Sequence, residues 1–285
     1  MKRSDRLVSL TNYFLENPKK HTSLPYFADI YDAAKSSISE DLVIIDRVLK
    51  QEGLGHLQSV AGAAGGVRYI PDYAKEKSGQ FIAELMNTLA DPNRILPGGY
   101  LYMSDILGDP KMVKQIGRVL AATFSPLEID VVMTVATKGI PLAYAVASVL
   151  NVPVVIVRRD PKITEGSSVS INYVSGSSRK VQTMVLPKRS LQEGANVCIV
   201  DDFMKAGGTI TGMTSLLEEF NANVKAIGVL AEADDEEEDR VVESYTSLIK
   251  IKNVDIKQKQ IQVLAGNIID QENKPANENR AADKN

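Results

Sequence analysis

The thirteen residues Val197-Cys198-Ile199-Val200-Asp201-Asp202-Phe203-Met204-Lys205-Ala206-Gly207-Gly208-Thr209 decide the reading of this 285-residue chain. Val197 to Val200 form an unbroken apolar run, the pattern of a strand buried on both faces. Asp201 and Asp202 stand directly at its carboxyl end. Lys205, Ala206, Gly207, Gly208 and Thr209 then open an amphipathic segment with Ile210, Met213, Leu216, Leu217 and Phe220 on one side. In an open α/β sheet, ligands bind beyond the carboxyl ends of the strands. Glycines let backbone N–H groups close around a phosphate, and the helix N-terminus adds favourable partial charge. Two carboxylates would repel that phosphate, but they suit the neutral hydroxyls of a ribose beside it. The stretch therefore points to a sugar phosphate.

Outward from this stretch, short β-branched runs at 131–135, 154–157 and 224–230 alternate with helical patterns, which predicts a parallel sheet covered by helices. Ala136-Thr137-Lys138-Gly139-Ile140-Pro141 follows one of these strands and opens a helix, with Pro141 in a favourable early position. Strand end, backbone donors and one lysine make Thr137, Lys138 and Gly139 a second candidate anion pocket. Arg158, Arg159 and Lys162 end the next strand, and residues 165–180 are rich in serine and cations.

The 197–209 run resembles the phosphoribosyl-pyrophosphate (PRPP) motif of type I phosphoribosyltransferases. That resemblance implies that Asp201 and Asp202 bind the ribose hydroxyls and that the loop from Lys205 to Thr209 binds the 5′-phosphate, with Phe203 and Met204 inside the motif. It further implies that Thr137, Lys138 and Gly139 form the pyrophosphate loop and that residues 165–180 cover PRPP. There are departures: the family usually carries Thr where this chain has Ala206, and a small or apolar residue where it has Lys205. The segment from Arg94 to Tyr102 is similar to the leading segment of xanthine phosphoribosyltransferases, which makes Tyr102 a candidate effector contact, in its own or the other subunit, with core packing as the alternative.

The first seventy residues carry a different pattern. Leu7, Leu10 and Phe14 recur at helical spacing up to Pro18, and Leu24, Phe27, Ile30 and Tyr31 predict a shorter helix. After the link at 32–34, Ile38, Leu42, Ile45 and Leu49 mark a third helix ending at Gly53 and Gly55. This is the layout of a helix-turn-helix, with Lys35, Ser36, Ser37 and Ser39 at the start of the recognition helix. Residues 57–60 and 67–70 read as a hairpin around the glycine-rich turn at 62–66, with Arg68 beside it. The whole segment resembles a winged helix-turn-helix. Between Met1 and Ile70 there are nine Lys or Arg and eight Asp or Glu. Affinity for DNA must therefore come from placement, with Lys2, Arg3, Arg6, Lys35 and Arg68 as candidates, and from dimerisation.

Composition fits two domains with sizeable cores: 44% hydrophobic and 24% charged residues, with a net charge of −3. The sole cysteine, Cys198, lies in the buried run and suits a reducing cytoplasm. No signal peptide or membrane-spanning run is apparent. A polar connector at 71–80 suggests domains at 1–74 and 75–270, followed by a tail at 271–285 expected to be disordered. The acidic stretch 232–239 reads as a solvated loop or helix start, and neither His21 nor His56 suggests a metal or general-base role.

The fold class expected is thus α/β, an N-terminal winged helix-turn-helix joined to a C-terminal type I phosphoribosyltransferase-like fold. That combination closely resembles the purine-operon regulators of Gram-positive bacteria. The resemblance rests also on Ala34-Lys35-Ser36-Ser37-Ile38-Ser39-Glu40-Asp41. It implies a homodimeric cytoplasmic transcription factor, repressor or activator, that binds double-stranded DNA at purine-gene control regions. PRPP, with or without Mg²⁺, is the implied effector; a module that senses related nucleotides such as guanosine alarmones in the same pocket is a further alternative. No tightly bound cofactor and no catalysis are expected. The alternative is an active purine phosphoribosyltransferase.

Overall fold

The computed structural model describes residues 1–60, 65–160, 166–174, 181–234 and 241–269. Helices α1 (Arg3–Glu16), α2 (Leu24–Tyr31) and α3 (Lys35–Gln51) precede a hairpin of β1 (Gly55–Val60) and β2 (Gly66–Pro71). The hairpin pairs antiparallel from Gly55↔Pro71 to Val60↔Gly66. Thr22 adds a bridge to Val67 on its other side. Ser23 caps α2 by accepting from the Tyr26 N–H at 3.4 Å. Asp32, at φ 46°, then turns the chain within two residues into α3. Leu10, Phe14, Phe27, Ile38, Ile45 and Leu49 close against Val67 and Tyr69 of the hairpin. The Asp46 carboxylate accepts from the Leu57 N–H at 2.8 Å and from Lys50 Nζ at 2.7 Å, tying the hairpin to the end of α3.

The polar stretch expected as a connector at 71–80 runs straight into helix α4 (Lys75–Leu89). Its charges face solvent, whereas Ser78, Phe81, Ile82, Leu85 and Leu89 are buried. A helix start and a linker share polar composition, and only the downstream period of three and four separates them.

After a 3-10 turn at Pro92–Arg94 come α5 (Ser104–Gly108), α6 (Pro110–Phe124), β3 (Val131–Val135), α7 (Ile140–Leu150) and β4 (Val154–Val157). A separate hairpin, β5 (Ser168–Val174) with β6 (Val181–Pro187), leads to β7 (Asn196–Met204) and α8 (Gly208–Glu218). β8 (Asn223–Ala233), β9 (Thr246–Asp255) and β10 (Gln260–Ala265) follow. The six-stranded sheet has the order β10-β9-β8-β7-β3-β4, parallel except for β10. The four expected strands are all present in it.

Both faces of the sheet are covered. Cys198, Val200, Leu230 and Leu248 pack with α4, α6 and α7, whereas Val197, Ile199, Met133 and Val229 pack with α8 and the β5–β6 hairpin. Alternate residues of β7 thus enter different cores, which is why its sequence is apolar without a break. Burial pushes the Cys198 thiol up, out of the reactive range. Asn151, left-handed at the end of α7, donates from Nδ2 to the Pro18 carbonyl at 2.9 Å and so links the sheet domain to the helix–hairpin domain. Among the described residues no helix is long and apolar enough to cross a membrane. The tail at 271–285 lies outside the described residues.

Candidate functional site

A cleft of about 1450 Å³ opens at the carboxyl ends of the parallel strands. The segment 201–210, the 136–138 turn, Arg158 to Asp160, residues 96–101, and the ends of β8 and β9 line it. β7 does not stop at Val200. It runs to Met204, so both carboxylates belong to the strand and the loop after it is only three residues long. Pairing of Asp201 with Val229 and of Phe203 with Ala231 on β8 prolongs it.

Asp201 is only 4% exposed, and its Oδ1 accepts from the Asp202 N–H at 2.9 Å. Burial, reinforced by the charge of Asp202, holds the Asp201 carboxyl well above the usual carboxylate range. Burial also raises Asp202, with Lys138 across the cleft opposing it. Donors or a cation brought by a ligand would favour the charged forms, so the pair is suited to receive hydroxyls.

Two glycines shape the loops that line the cleft. Gly207 has φ 91°, and a Cβ there would stand 2.8 Å from Val242 Cγ2. α8 begins beyond it with no side-chain cap, which leaves its first-turn N–H groups to a partner from outside the helix. Gly139 has ordinary helical dihedrals, φ −69° and ψ −17°. A Cβ there would stand 2.9 Å from Asp201 Oδ1 and closer still to Thr134 Oγ1. Close approach, not conformation, requires this glycine. The Ala136–Thr137 peptide is cis.

Every residue from Asp201 to Thr209 lines the cleft, as do Thr137 and Lys138, with Gly139 packed just behind. Tyr102 does not. Its N–H donates to the Arg94 carbonyl at 2.8 Å, its own carbonyl accepts from Arg94 at 3.0 Å, and its side chain is 44% exposed. Arg94 also grips Asp105 through both guanidinium arms at 2.8 and 2.7 Å. Tyr100 takes the place at the cleft.

The sequence reading also missed the far wall. Asp234, paired with Lys252 at 2.7 Å and Lys250 at 3.8 Å, lies there with Asn253 and Val254. No local signal marks these residues, because the sheet order alone brings β8 and β9 beside β7. The acidic stretch is corrected at its start: Glu232 is a fully buried strand residue that accepts from Tyr245 Oη at 2.6 Å and Ser247 Oγ at 2.7 Å. Residues 235–239 of that stretch, the 175–180 part of the covering loop with Glu165, and most of the turn at 62–66 lie outside the described residues. Among the described residues no group of three His, Cys, Asp or Glu is placed to hold a metal.

In the amino-terminal domain, Lys35, Ser36 and Ser39 are exposed at the start of α3 and Ser37 is half-buried. Ala34 offers that helix no side-chain cap. Arg68 donates from Nε to Gln58 Oε1 at 2.8 Å across the hairpin. Arg3 remains half-exposed while donating to Asp41 at 2.9 Å. Arg6 is a correction. It is 7% exposed and bonds Asp41, itself fully buried, at 2.6 Å. Its place on α1, beside Leu10 and facing α3, makes it an internal partner, not a surface cation.

Residues 2–71 match the family described as bacterial purine repressor, N-terminal, and residues 103–264 match the phosphoribosyl transferase domain. The chain is 57% identical over 268 residues to the purine biosynthesis transcriptional repressor PurR of Bacillus subtilis (strain 168), covering 94% of each chain. It is 48% identical over 268 residues to the purine biosynthesis transcriptional activator PurR of Lactococcus lactis subsp. lactis, covering 94% of this chain and 98% of that one. Adenine phosphoribosyltransferase of Thermoanaerobacter pseudethanolicus superposes on 59% of this chain and 98% of its own, with TM-score 0.51 and 23% identity, which shows a shared fold. The chain therefore belongs to the bacterial purine-biosynthesis regulators, in which a purine-repressor N-terminal domain is joined to a phosphoribosyltransferase domain.

Proposed function

We propose that this chain controls transcription of purine biosynthesis and transport genes by binding duplex DNA at their control regions, with PRPP as its effector. One observation carries the proposal: relatives named as regulators align over 94% of the chain, across both the helix–hairpin domain and the cleft. Residues 201–209 and 137–139 support the effector assignment. They combine carboxyls suited to ribose hydroxyls with an uncapped helix start and Lys138 suited to phosphates. Mg²⁺, when bound with PRPP, supplies charge neutralisation on the pyrophosphate. We place the protein in the cytoplasm and read the DNA-binding form as a homodimer, since nearly balanced charge in residues 1–70 lets one copy hold few phosphates.

Regulation then follows from linkage. PRPP shifts DNA binding only to the extent that it binds the DNA-bound and DNA-free forms with different affinity. The test is fluorescence anisotropy of the full chain on duplex from upstream of purine-synthesis genes, at fixed salt, with and without PRPP. Specific binding that changes with PRPP is expected. Asp202→Ala should lose the PRPP response and keep DNA binding, whereas Lys35→Ala or Arg68→Ala should weaken DNA binding and keep PRPP affinity. No preference over random duplex, together with turnover of PRPP and a purine base, would establish the phosphoribosyltransferase alternative instead.

A further inference from the structure

Glu40 is the sixth residue of α3 and lies on the helix face opposite the core. Ser36, Glu40, Val43 and Arg47 recur at intervals of four, three and four, while Ile38, Asp41, Leu42, Ile45 and Leu49 are buried on the other side. The Glu40 side chain is 69% exposed. Its neighbours along the stripe are a small hydroxyl residue and a valine that is itself 67% exposed. A carboxylate in the middle of a face that docks on DNA is repelled by every phosphate it approaches. It is tolerated where phosphates are absent, on the floor of the major groove, and there a carboxylate accepts from the cytosine N4 amino group.

A second feature holds this carboxylate in place. Asp41 is fully buried and takes Arg6 at 2.6 Å and Arg3 at 2.9 Å, one on each oxygen. The anchored Arg3 guanidinium reaches on to Glu40 Oε2 at 3.5 Å. As an exposed ion pair the Arg3–Glu40 contact adds little to stability. As a positioning device it holds a flexible side chain upright next to Ser36, near the end of the recognition helix that contacts base edges in helix-turn-helix proteins.

We propose that Glu40 is a base-reading residue that selects a cytosine in the operator, and that Arg3 is its positioning residue. This rests on the reading of the chain as a DNA-binding regulator and deepens it. The rest of the helix start divides the work: Lys35 and the first-turn N–H groups face phosphate, and Glu40 faces bases.

The experiment is selection of bound duplexes from a random-sequence library by the full-length protein, followed by anisotropy on the selected duplex and on its single-base variants. The wild type should select a motif containing a cytosine whose replacement weakens binding about tenfold or more. Glu40→Ala should reduce that discrimination to less than about twofold at this position alone, and should bind random-sequence duplex more tightly, since a repulsive charge has gone. Glu40→Gln should shift the preference there towards adenine, whose N6 and N7 match an amide. Arg3→Ala should lower discrimination at the same base and at no other, with Arg3→Lys restoring part of it. If Glu40→Ala selects the wild-type motif with full discrimination, or weakens all sequences alike, the assignment is overturned while DNA regulation stands. If the wild type selects no motif, the regulator reading falls and the assignment with it.

Discussion

Gly139→Ala tests the architecture of the cleft by exchanging a single hydrogen atom for a methyl group. Its dihedrals of φ −69° and ψ −17° suit any residue, so no conformational penalty enters. The whole effect comes from what the new methyl meets. Asp201 Oδ1 stands at 2.9 Å and Thr134 Oγ1 stands nearer, both closer than side-chain carbons approach one another's neighbours in practice. Neither obstacle gives way easily. Thr134 is fully buried in β3, with a stiff β-branched side chain, and Asp201 is 4% exposed within β7. Overpacking of this kind costs about 1–3 kcal/mol, and two rigid obstacles put the expectation near the upper end. At ordinary urea dependence for such a domain, that is a fall of about 1 M in the midpoint of the transition that carries the sheet, with the slope unchanged.

The second half of the experiment is Thr134→Ala. The Thr134 hydroxyl is buried without a partner, so its removal strands no donor or acceptor. In the Gly139→Ala background it should therefore restore stability, with a coupling of about 1 kcal/mol or more in the double-mutant cycle. Unchanged unfolding of Gly139→Ala, or strictly additive losses in the double variant, would refute the steric account.

Four further outcomes are expected. Burial holds the Asp201 carboxyl above its ordinary 3.8, so the unfolded chain ionises first and folded-state stability falls as pH rises from near 4 through the raised value. Thermal unfolding of Asp201→Asn, which keeps the Oδ1 acceptor, should match the wild type below pH 4 and gain on it progressively towards neutrality. Asp41→Ala strands the buried Arg6 and should destabilise the amino-terminal domain by about 3–5 kcal/mol, read by circular dichroism. Asn151→Gly keeps the left-handed cap but deletes the hydrogen bond to Pro18, so hydrogen exchange should quicken around residues 18–22 while α7 keeps its protection. Asn151→Ala should lose about 1 kcal/mol more, because alanine is strained at φ 58°.

Much of this protein was legible along the chain because the deciding features are local. An unbroken apolar run can be buried only on both faces. Two carboxylates, two glycines and a helix start within nine residues constrain one another through the backbone alone. The helix-turn-helix was legible for the same reason, since Ile38, Leu42, Ile45 and Leu49 carry their own period. Membership of the regulator family then follows from both matches lying on one chain.

Tertiary structure decided whatever depends on partners distant in sequence. Arg6 and Arg3 look alike as cations on one helix, yet α3, thirty-five residues on, supplies the buried Asp41 that takes Arg6 inside. Glu232 begins what reads as a solvated acidic run, but Ser247 of β9 and Tyr245 just before that strand donate to it, and the carboxylate is buried. Tyr100 and Tyr102 look equivalent along the chain, yet the Tyr102 backbone is tied to Arg94 and only Tyr100 lines the cleft. Asp234 and Lys252 reach the cleft because the sheet places β8 and β9 next to β7. Chain order sets local periodicity and backbone geometry, but which side chains meet is settled by the packing of elements whose mutual order no local pattern contains.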